Sequence, residues 1–422
     1  MTHFTALPLR IVFCRAPQSG GSAKAPPDWG AATASELELA LFGDPAKDRS
    51  RRWEPLDLAA AIPLKDDIEV RTFTTRPQRS DGSLQPAPEL FDEVLHTILL
   101  VFVDDLLLGN SDLVDWLADG LRHCDASSGR HLFVAVVPGE ETRNRWLAKP
   151  GLGTHNVVDF SKLGEEAERL DWLSLQVLDW AMKAAASGAG EDSRWKVRFF
   201  VSHAKRDGIS LAQSLRDRVK EIRWLESFYD AWSLDPSRPW IAQLEEAVAS
   251  SVVVALRTDN YDHRPWCQAE VLWAEQHGSP LVLVDARSGL VHAASNLPYE
   301  SAPCVRIPDG NLVRILHAAL RVALRARIFL RRARELEGLG LLKGTFELIP
   351  VTPGLSAIAG ACSKLERAAR DVGKPPPYSI CHPDPGLRDV ISRAAQALAA
   401  SASVPIQIVT PRTLLSAPGV TL

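Results

Sequence analysis

The sequence predicts an α/β protein in which parallel sheets are covered by helices on both faces. Short apolar runs alternate with helical patterns along most of the chain, and this alternation is typical of parallel sheets. The runs are apolar throughout, which indicates strands that are buried on both faces. A small, polar segment at residues 186–193 interrupts the pattern, which then starts again, so we expect more than one domain.

Composition and charge argue against several other classes of protein. At 422 residues the chain is too long for one ordinary core. Its hydrophobic fraction of 46% and charged fraction of 24% are typical of soluble globular proteins, and a net charge of -4 gives no reason to expect a nucleic-acid partner. Asp104 and Asp105 interrupt the best candidate for a membrane span, so none is expected.

The cysteines and the first residues indicate a cytoplasmic protein. The six cysteines are far apart and form no CxxC pair, which argues against a disulfide framework and against a metal site. The first residues lack the charged and apolar regions of a signal peptide.

The first part of the chain predicts one α/β domain. Its strands are expected at residues 9–14, 68–74, 97–103 and 131–137. Helical patterns cover residues 112–122 and 169–185. Residues 15–30 are rich in Gly, Ser and Pro and predict a flexible connection, because their Ser-Gly-Gly-Ser-Ala-Lys lacks the spacing of a phosphate loop.

The second part repeats the alternation and leads into a smaller third part. Strands are expected at residues 197–201, 224–229, 251–256 and 280–284, with helices at 208–219, 241–249 and 266–277. Residues 311–336 predict a helix with a row of arginines on one face, interpreted as a solvated face, with a phosphate- or partner-binding surface as the alternative. From residue 344 onward, three strands and two helices predict either a small domain or an extension docked on the second part.

The stretch at residues 260–270 combines a carboxylate and an aromatic side chain after a buried strand. Pro265 suits the first turn of a helix, and Trp266 and Glu270 then project from the same helix face. Ligands of parallel sheets bind at the carboxyl ends of the strands. From these residues alone, Glu270 is more simply a partner for the helix dipole, and Trp266 is either a core residue or a ligand contact.

A similar spacing occurs in the first part of the chain. Asn110, Asp112, Trp116 and Gly120 match the spacing of residues 260–270, with glycine in place of the glutamate. Both a true duplication and the common geometry of α/β units explain four matched positions. If the duplication is real, Gly120 predicts that the first part has lost the chemistry of the second.

Three blocks of the second part follow one another with predicted strands between them. Residues 198–207 are Arg-Phe-Phe-Val-Ser-His-Ala-Lys-Arg-Asp, residues 228–240 are Phe-Tyr-Asp-Ala-Trp-Ser-Leu-Asp-Pro-Ser-Arg-Pro-Trp, and residues 266–270 are Trp-Cys-Gln-Ala-Glu. In this order and spacing they resemble a bacterial TIR (Toll/interleukin-1 receptor) domain. The resemblance covers residues 195–326.

The resemblance implies a flavodoxin-like doubly wound parallel sheet in a TIR domain at residues 194–326. A second α/β domain at residues 1–187 precedes it and is a degenerate TIR-like copy if the duplication is real. A small α/β region at residues 327–422 follows it.

The resemblance also implies an activity and a site. Many bacterial and plant TIR domains cleave NAD at the nicotinamide–ribose bond, and Glu270 would be the catalytic residue. The substrate-binding residues would be Phe200, Ser202, His203, Asp207, Asp230, Trp232, Trp240 and Trp266. NAD is then a substrate, and no metal or other cofactor is expected.

The resemblance also implies that the protein is an effector that becomes active when it self-assembles. TIR domains self-associate, and the N- and C-terminal regions would sense a trigger or bind a partner protein in an antiphage or stress response. Two rival functions stay open: a non-enzymatic adaptor that recruits another TIR domain, and a TIR domain that binds a nucleotide signal without cleaving it. Retention of Glu270 favours the enzyme, because an adaptor does not need the acid.

Other residues near the three blocks have simpler explanations. Ser202 and His203 are neighbours in sequence, so their side chains point apart, and no third member is evident; they do not predict a hydrolase dyad. Asp230 either holds its loop by hydrogen bonds or contacts the substrate. Cys267 is expected to be a buried packing residue rather than a nucleophile.

Overall fold

The computed structural model describes residues 9–16, 29–42, 68–79, 81–92, 94–127, 130–152, 157–186, 198–222, 225–228, 237–288, 302–306, 312–371, 375–384, 387 and 389–416. Asp230, Trp232 and the glycine-containing segment at residues 19–24 lie outside these residues. The chain divides into two compact units. The first covers Met1–Arg52 and Pro63–Gly188, and the second covers Trp53–Ile62 and Ala189–Leu422.

The first unit contains a five-stranded parallel sheet. Its strands are β1 (Leu9–Cys14), β2 (Glu69–Phe73), β3 (His96–Phe102), β4 (Leu132–Val137) and β5 (Val157–Asp159). Its helices are α1 (Trp29–Phe42), α2 (Ala87–Asp92), α3 (Asp105–Gly109), α4 (Ser111–Ala126), α5 (Glu140–Leu147) and α6 (Arg169–Ala186). The strand order is β2-β1-β3-β4-β5, and every neighbouring pair is parallel.

The second unit begins with a sheet of the same topology. Its strands are β6 (Arg198–His203), β7 (Glu226–Phe228), β8 (Val252–Arg257), β9 (Leu281–Asp285) and β10 (Cys304–Arg306). Its helices are α7 (Ile209–Glu221), α8 (Trp240–Ala249), α9 (Pro265–His277) and α10 (Leu312–Gly338). The strand order is β7-β6-β8-β9-β10, and all pairs are parallel. It corresponds strand by strand to the order β2-β1-β3-β4-β5 of the first sheet. The predicted α/β class with flavodoxin-like parallel sheets is confirmed.

The C-terminal region adds a small parallel sheet to the second unit. Strands β11 (Thr345–Leu348), β12 (Tyr378–Cys381) and β13 (Ile406–Val409) lie in sequence order. Helices α11 (Leu355–Ala368) and α12 (Asp389–Ser401) pack on each other, and the short α13 (Pro411–Leu415) follows. Helix α11 also packs against α9, so the region is docked on the second sheet's helical layer.

Helix α10 joins the second sheet to the C-terminal region. It is 27 residues long, contacts β8, β9 and α13, and contains the predicted boundary between residues 326 and 327. The solvated-face interpretation of its arginine row is wrong for Arg321, which is 0% exposed because the helix is covered on that side too. Neither this helix nor any other in the described part of the chain is long and apolar enough to cross a membrane.

Local sequence explains where α9 begins and ends. Pro265 occupies its first position, where a missing N–H is tolerated. Gly278 ends it in the left-handed conformation, with φ at 63°, which glycine adopts without strain. The helix therefore starts one turn before Glu270 and presents that residue toward the end of the sheet.

Candidate active site

Glu270 is the centre of a buried polar group at the carboxyl edge of the second sheet. Its side chain is 6% exposed, and Oε2 accepts a hydrogen bond from the Ser202 hydroxyl. Ser202 Oγ lies 2.6 Å from the Tyr261 hydroxyl. Because Ser202 gives its single proton to the carboxylate, the Tyr261 hydroxyl donates to Ser202. We call Glu270, Ser202 and Tyr261 the acid cluster.

The strand order explains why these three residues meet. Ser202 lies near the end of β6 and pairs in register with Ala255 of the adjacent β8. Tyr261 lies in a short 3-10 turn, Tyr261–His263, between β8 and α9. From β6 the chain goes to β7 at one edge and then crosses to β8 on the other side of β6. Strands β6 and β8 therefore flank the switch point at which such sheets bind ligands.

An ion pair fixes the turn that carries Tyr261. Arg257, the last residue of β8, donates from Nε to both carboxylate oxygens of Asp262, at 3.0 and 2.9 Å. Gln268 Nε2 donates to the Asp262 backbone carbonyl at 2.7 Å. The turn is thus held from the strand before it and from the helix after it.

Two tryptophans pack on each other at the surface, and one of them, Trp266, lies one helical turn before Glu270 on α9. Trp266 is 46% exposed and Trp240, the first residue of α8, is 45% exposed. Their ring centroids are 4.4 Å apart with planes at 60°. This exposure excludes a core role for Trp266, and we call the two residues the tryptophan pair. Exposed indole rings can stack on a flat or cationic ligand.

Asp207 connects the loops that follow β6 and β8. Its Oδ1 accepts from Thr258 Oγ1 at 2.8 Å, and its Oδ2 accepts from the Asn260 backbone N–H and side-chain amide, both at 2.9 Å. Burial alone would raise the pKa of Asp207, but the hydrogen bonds from Asn260 and Thr258 lower it overall. This geometry gives Asp207 a structural task at the edge of the candidate crevice.

The other predicted residues have different surroundings. Phe200 is buried in the core with Leu244 and Val253, two positions before Ser202 on the same strand face. His203 donates from Nδ1 to the Val201 carbonyl at 3.2 Å. Its neighbour Ser202 bonds to Glu270 and not to His203. Across the described residues, no three His, Cys, Asp or Glu side chains come together in a way that could hold a metal ion.

Comparison with known proteins identifies the family of the second sheet. The family model described as "TIR domain" matches residues 199–295, which contain the acid cluster and the tryptophan pair. This chain contains a TIR domain. No curated protein matches it. A solved structure from Silicibacter pomeroyi DSS-3, provisionally assigned as a phosphosugar isomerase, covers 79% of this chain and 87% of its own at 14% identity, but its TM-score of 0.19 carries no argument.

The position in the first unit that matches the TIR-domain glutamate is closely packed. A Cβ on Gly120 would lie 3.3 Å from the Phe91 ring. Trp116 is buried and donates from Nε1 to the Gln85 carbonyl at 2.9 Å, unlike the exposed Trp266. The first unit therefore shares the TIR strand order but fills this space with side chains.

Tyr261 is the member of the acid cluster that sequence reasoning did not select. It lies inside the stretch at residues 260–270, but a tyrosine after a strand has many structural uses. A buried hydroxyl needs a hydrogen-bond partner, and the sequence places its partner 59 positions earlier. Only the pairing of β6 with β8 brings the two hydroxyls together.

Cys267 is expected to resist alkylation in the folded TIR domain. Burial, together with a smaller effect of the nearby Glu270 carboxylate, raises the pKa of its thiol to about 12. At pH 8 the reactive thiolate is then about one part in ten thousand. Peptide mass spectrometry after iodoacetamide treatment should find Cys267 modified only in unfolded protein. Rapid modification of the native protein would return Cys267 to consideration as a nucleophile.

Replacing Asp207 with alanine is expected to destabilise the TIR domain by about 1–2 kcal/mol at pH 7, because three hydrogen bonds to a charged acceptor are lost. Since the folded-state pKa is lowered, this stabilisation is complete above the unfolded value of about 3.9 and is lost as the pH falls through the lower folded value. The difference in urea midpoint should therefore shrink in acid. Asp217→Ala, on exposed α7, is the control, and equal stability of wild type and Asp207→Ala at pH 7 would refute the role.

Proposed function

We propose that the TIR domain cleaves NAD at the bond between nicotinamide and ribose. The observation that carries the proposal is the buried acid cluster at the switch point of the sheet. Trp266 of the exposed tryptophan pair lies one helical turn before Glu270. The family match supports it, because its residues include both groups. Glu270 is the catalytic residue of the proposal.

The chemistry needs one carboxylate and no general acid. The carbon–nitrogen bond breaks with both electrons passing to the nicotinamide nitrogen, so the cationic pyridinium departs as a neutral molecule. Positive charge develops on the ribose carbon, and a carboxylate beneath the ribose stabilises it and orients the ribose hydroxyls. A water oxygen then bonds to that carbon and releases a proton, giving ADP-ribose. In a cyclising enzyme an adenine nitrogen takes the place of the water.

The surroundings of Glu270 suit this role. The hydroxyl of Ser202 holds one carboxylate oxygen and is itself held by Tyr261, so the carboxylate is oriented before the substrate arrives. In the proposal the tryptophan pair receives the nicotinamide ring, because an indole face attracts a cationic ring. His203, Asp230 and Trp232 stay candidate substrate contacts.

We further propose that assembly activates the chain. TIR self-association would complete the site, and the first unit and the C-terminal region would detect a trigger or build the assembly. Depletion of NAD would then serve an antiphage or stress response inside the cell.

One observation favours the adaptor as the second candidate. Trp240, Ile241 and Trp266 are all about half exposed, and large apolar side chains that cluster on a surface commonly mark a protein contact. In an adaptor this surface would bind another TIR domain and Glu270 would have no reaction to perform.

The test is nicotinamide release by the purified full chain. NAD is supplied to the protein alone and under crowding that promotes assembly, and nicotinamide is measured by chromatography. Release that grows more than linearly with protein concentration is the expected result. An assembled protein that leaves NAD intact would favour the adaptor.

A further inference from the structure

Glu275 is a buried carboxylate on the side of α9 that faces the C-terminal region. It is 8% exposed and lies five residues after Glu270, about 7.5 Å along the helix and well around its axis. Its carboxylate occupies the space beside Gly354, the residue that precedes α11. A Cβ at position 354 would lie 1.6 Å from Glu275 Oε1 and 2.8 Å from its Cδ.

The environment of this carboxylate compensates its burial only in part. Burial raises the pKa of Glu275, and the nearby Ser356 hydroxyl lowers it by less. Among the described residues, neither carboxylate oxygen has a hydrogen bond of good geometry. The amino end of α11 favours a negative charge beside it, which offsets part of the desolvation. A buried acid held this way lowers the stability of the fold by itself, and such residues are commonly found at functional sites.

A second contact holds the end of the same helix. Gly278 ends α9, and a Cβ there would lie 2.9 Å from Pro350 Cδ and 3.5 Å from Ile349 Cγ2. Ile349 and Pro350 follow β11 directly and are buried. The last turn of α9 therefore lies against the C-terminal region at two places, and each place has a glycine that allows close approach.

Helix α9 is thus held on two sides. The acid cluster fixes it to the ends of β6 and β8, and the C-terminal region supports it from the other side through Glu275 and Gly278. The helix also packs on α8, β8 and β9, so the C-terminal region adds to this support rather than supplying all of it. A displacement of the catalytic carboxylate by about 1 Å is enough to slow a reaction about 100-fold.

We propose that Glu275 is a positioning residue. Its contact with Gly354 docks the C-terminal region on α9. This docking fixes the position of the Glu270 carboxylate relative to the ribose, a role that rests on the proposed NAD cleavage. The C-terminal region is then part of the catalytic apparatus through this contact. The shape and polarity of the side chain make the contact, so glutamine can replace glutamate here.

Kinetics of the full chain test the contact from both of its sides. Glu275→Ala removes the side chain and should lower kcat by about 10- to 100-fold with KM within about twofold. Gly354→Ala displaces only the flexible carboxylate end of Glu275 and should lower kcat by less, in the same direction. In the double variant, Gly354→Ala should add no further loss, because the carboxylate that it would strike is gone. Glu275→Gln should keep the kcat of the wild type. Additive losses, or equal loss in the alanine and glutamine variants, would overturn the proposal.

Two controls separate this proposal from the proposed function. Gly360→Ala lies on the same α11, where a Cβ meets nothing within 4 Å, and should leave kcat unchanged. Hydrogen exchange of α9 needs no NAD: in Glu275→Ala the amides of α9 should exchange faster, as in Gly354→Ala but not in Gly360→Ala. If the wild type does not cleave NAD, the proposed function is wrong, and hydrogen exchange of α9 still tests the contact between Glu275 and Gly354. Unchanged exchange in both alanine variants would overturn the positioning role.

If an alanine variant does not fold, Glu275→Asp takes its place in the same comparison. Aspartate withdraws the carboxylate by one methylene and should give a smaller loss of kcat in the same direction, with circular dichroism confirming the native fold. Wild-type kcat in Glu275→Asp together with wild-type exchange of α9 would count against the contact.

Discussion

Replacing Glu270 with glutamine is expected to lower kcat for nicotinamide release by about 100- to 1000-fold. The substitution keeps the shape of the side chain and removes the negative charge that faces the developing cation on the ribose. The effect should fall on kcat with little change in KM, because that cation exists only in the transition state. Nicotinamide release at saturating NAD, under the condition in which the wild type is most active, gives the measurement.

The matched control for this substitution is Glu221→Gln. Glu221 lies in the same TIR domain at the end of the exposed α7, where it pairs with Arg218 at 2.7 Å, and its replacement should leave turnover unchanged. Thermal melting of both variants shows whether the fold is intact. Full turnover by Glu270→Gln would remove this residue from catalysis and leave the acid cluster as a structural feature.

Replacing Trp266 with alanine is expected to raise KM for NAD by about 5- to 30-fold, equal to about 1–2 kcal/mol of lost stacking. The kcat should change much less, because the ring holds nicotinamide both before and during bond cleavage. The melting temperature should stay close to that of the wild type, since the side chain is about half exposed in the folded protein. Trp266→Phe should recover part of the affinity.

Two further variants interpret the result. Trp240→Ala should raise KM in the same direction, because its ring packs against Trp266 at 4.4 Å. Leu272→Ala replaces another exposed apolar residue of α9 and should leave KM unchanged. If Trp266→Ala keeps its KM but loses self-association in sedimentation, the tryptophan pair is a protein contact and the adaptor gains support.

Strand positions were predictable because burial on both faces is visible in local composition. The predicted strand at residues 9–14 coincides with β1, whose residues are all buried. The start of α9 was predictable from Pro265, which suits the first position of a helix. The family resemblance rested on such local blocks, and the match over residues 199–295 confirms it.

Contacts between distant parts of the chain could not be predicted in the same way. Nothing near Tyr261 indicates that its hydroxyl meets Ser202. Trp116 and Trp266 occupy matched spacings, but one is buried and the other exposed, because Trp116 is the sixth residue of α4 and Trp266 the second of α9. Arg321 shows the same limit: a row of arginines indicates solvent only when nothing else covers that helix face.

The length of α10 determines where the chain can be cut to give a fragment that keeps its fold. The helix packs on β8 and β9, and its second half buries Ile328, Phe329 and Leu336. A fragment that ends at residue 326 would cut through the helix and strip the cover from its neighbours. A fragment meant to keep the fold of this domain should therefore carry the sheet together with the whole of α10, so that no buried face of the helix is cut.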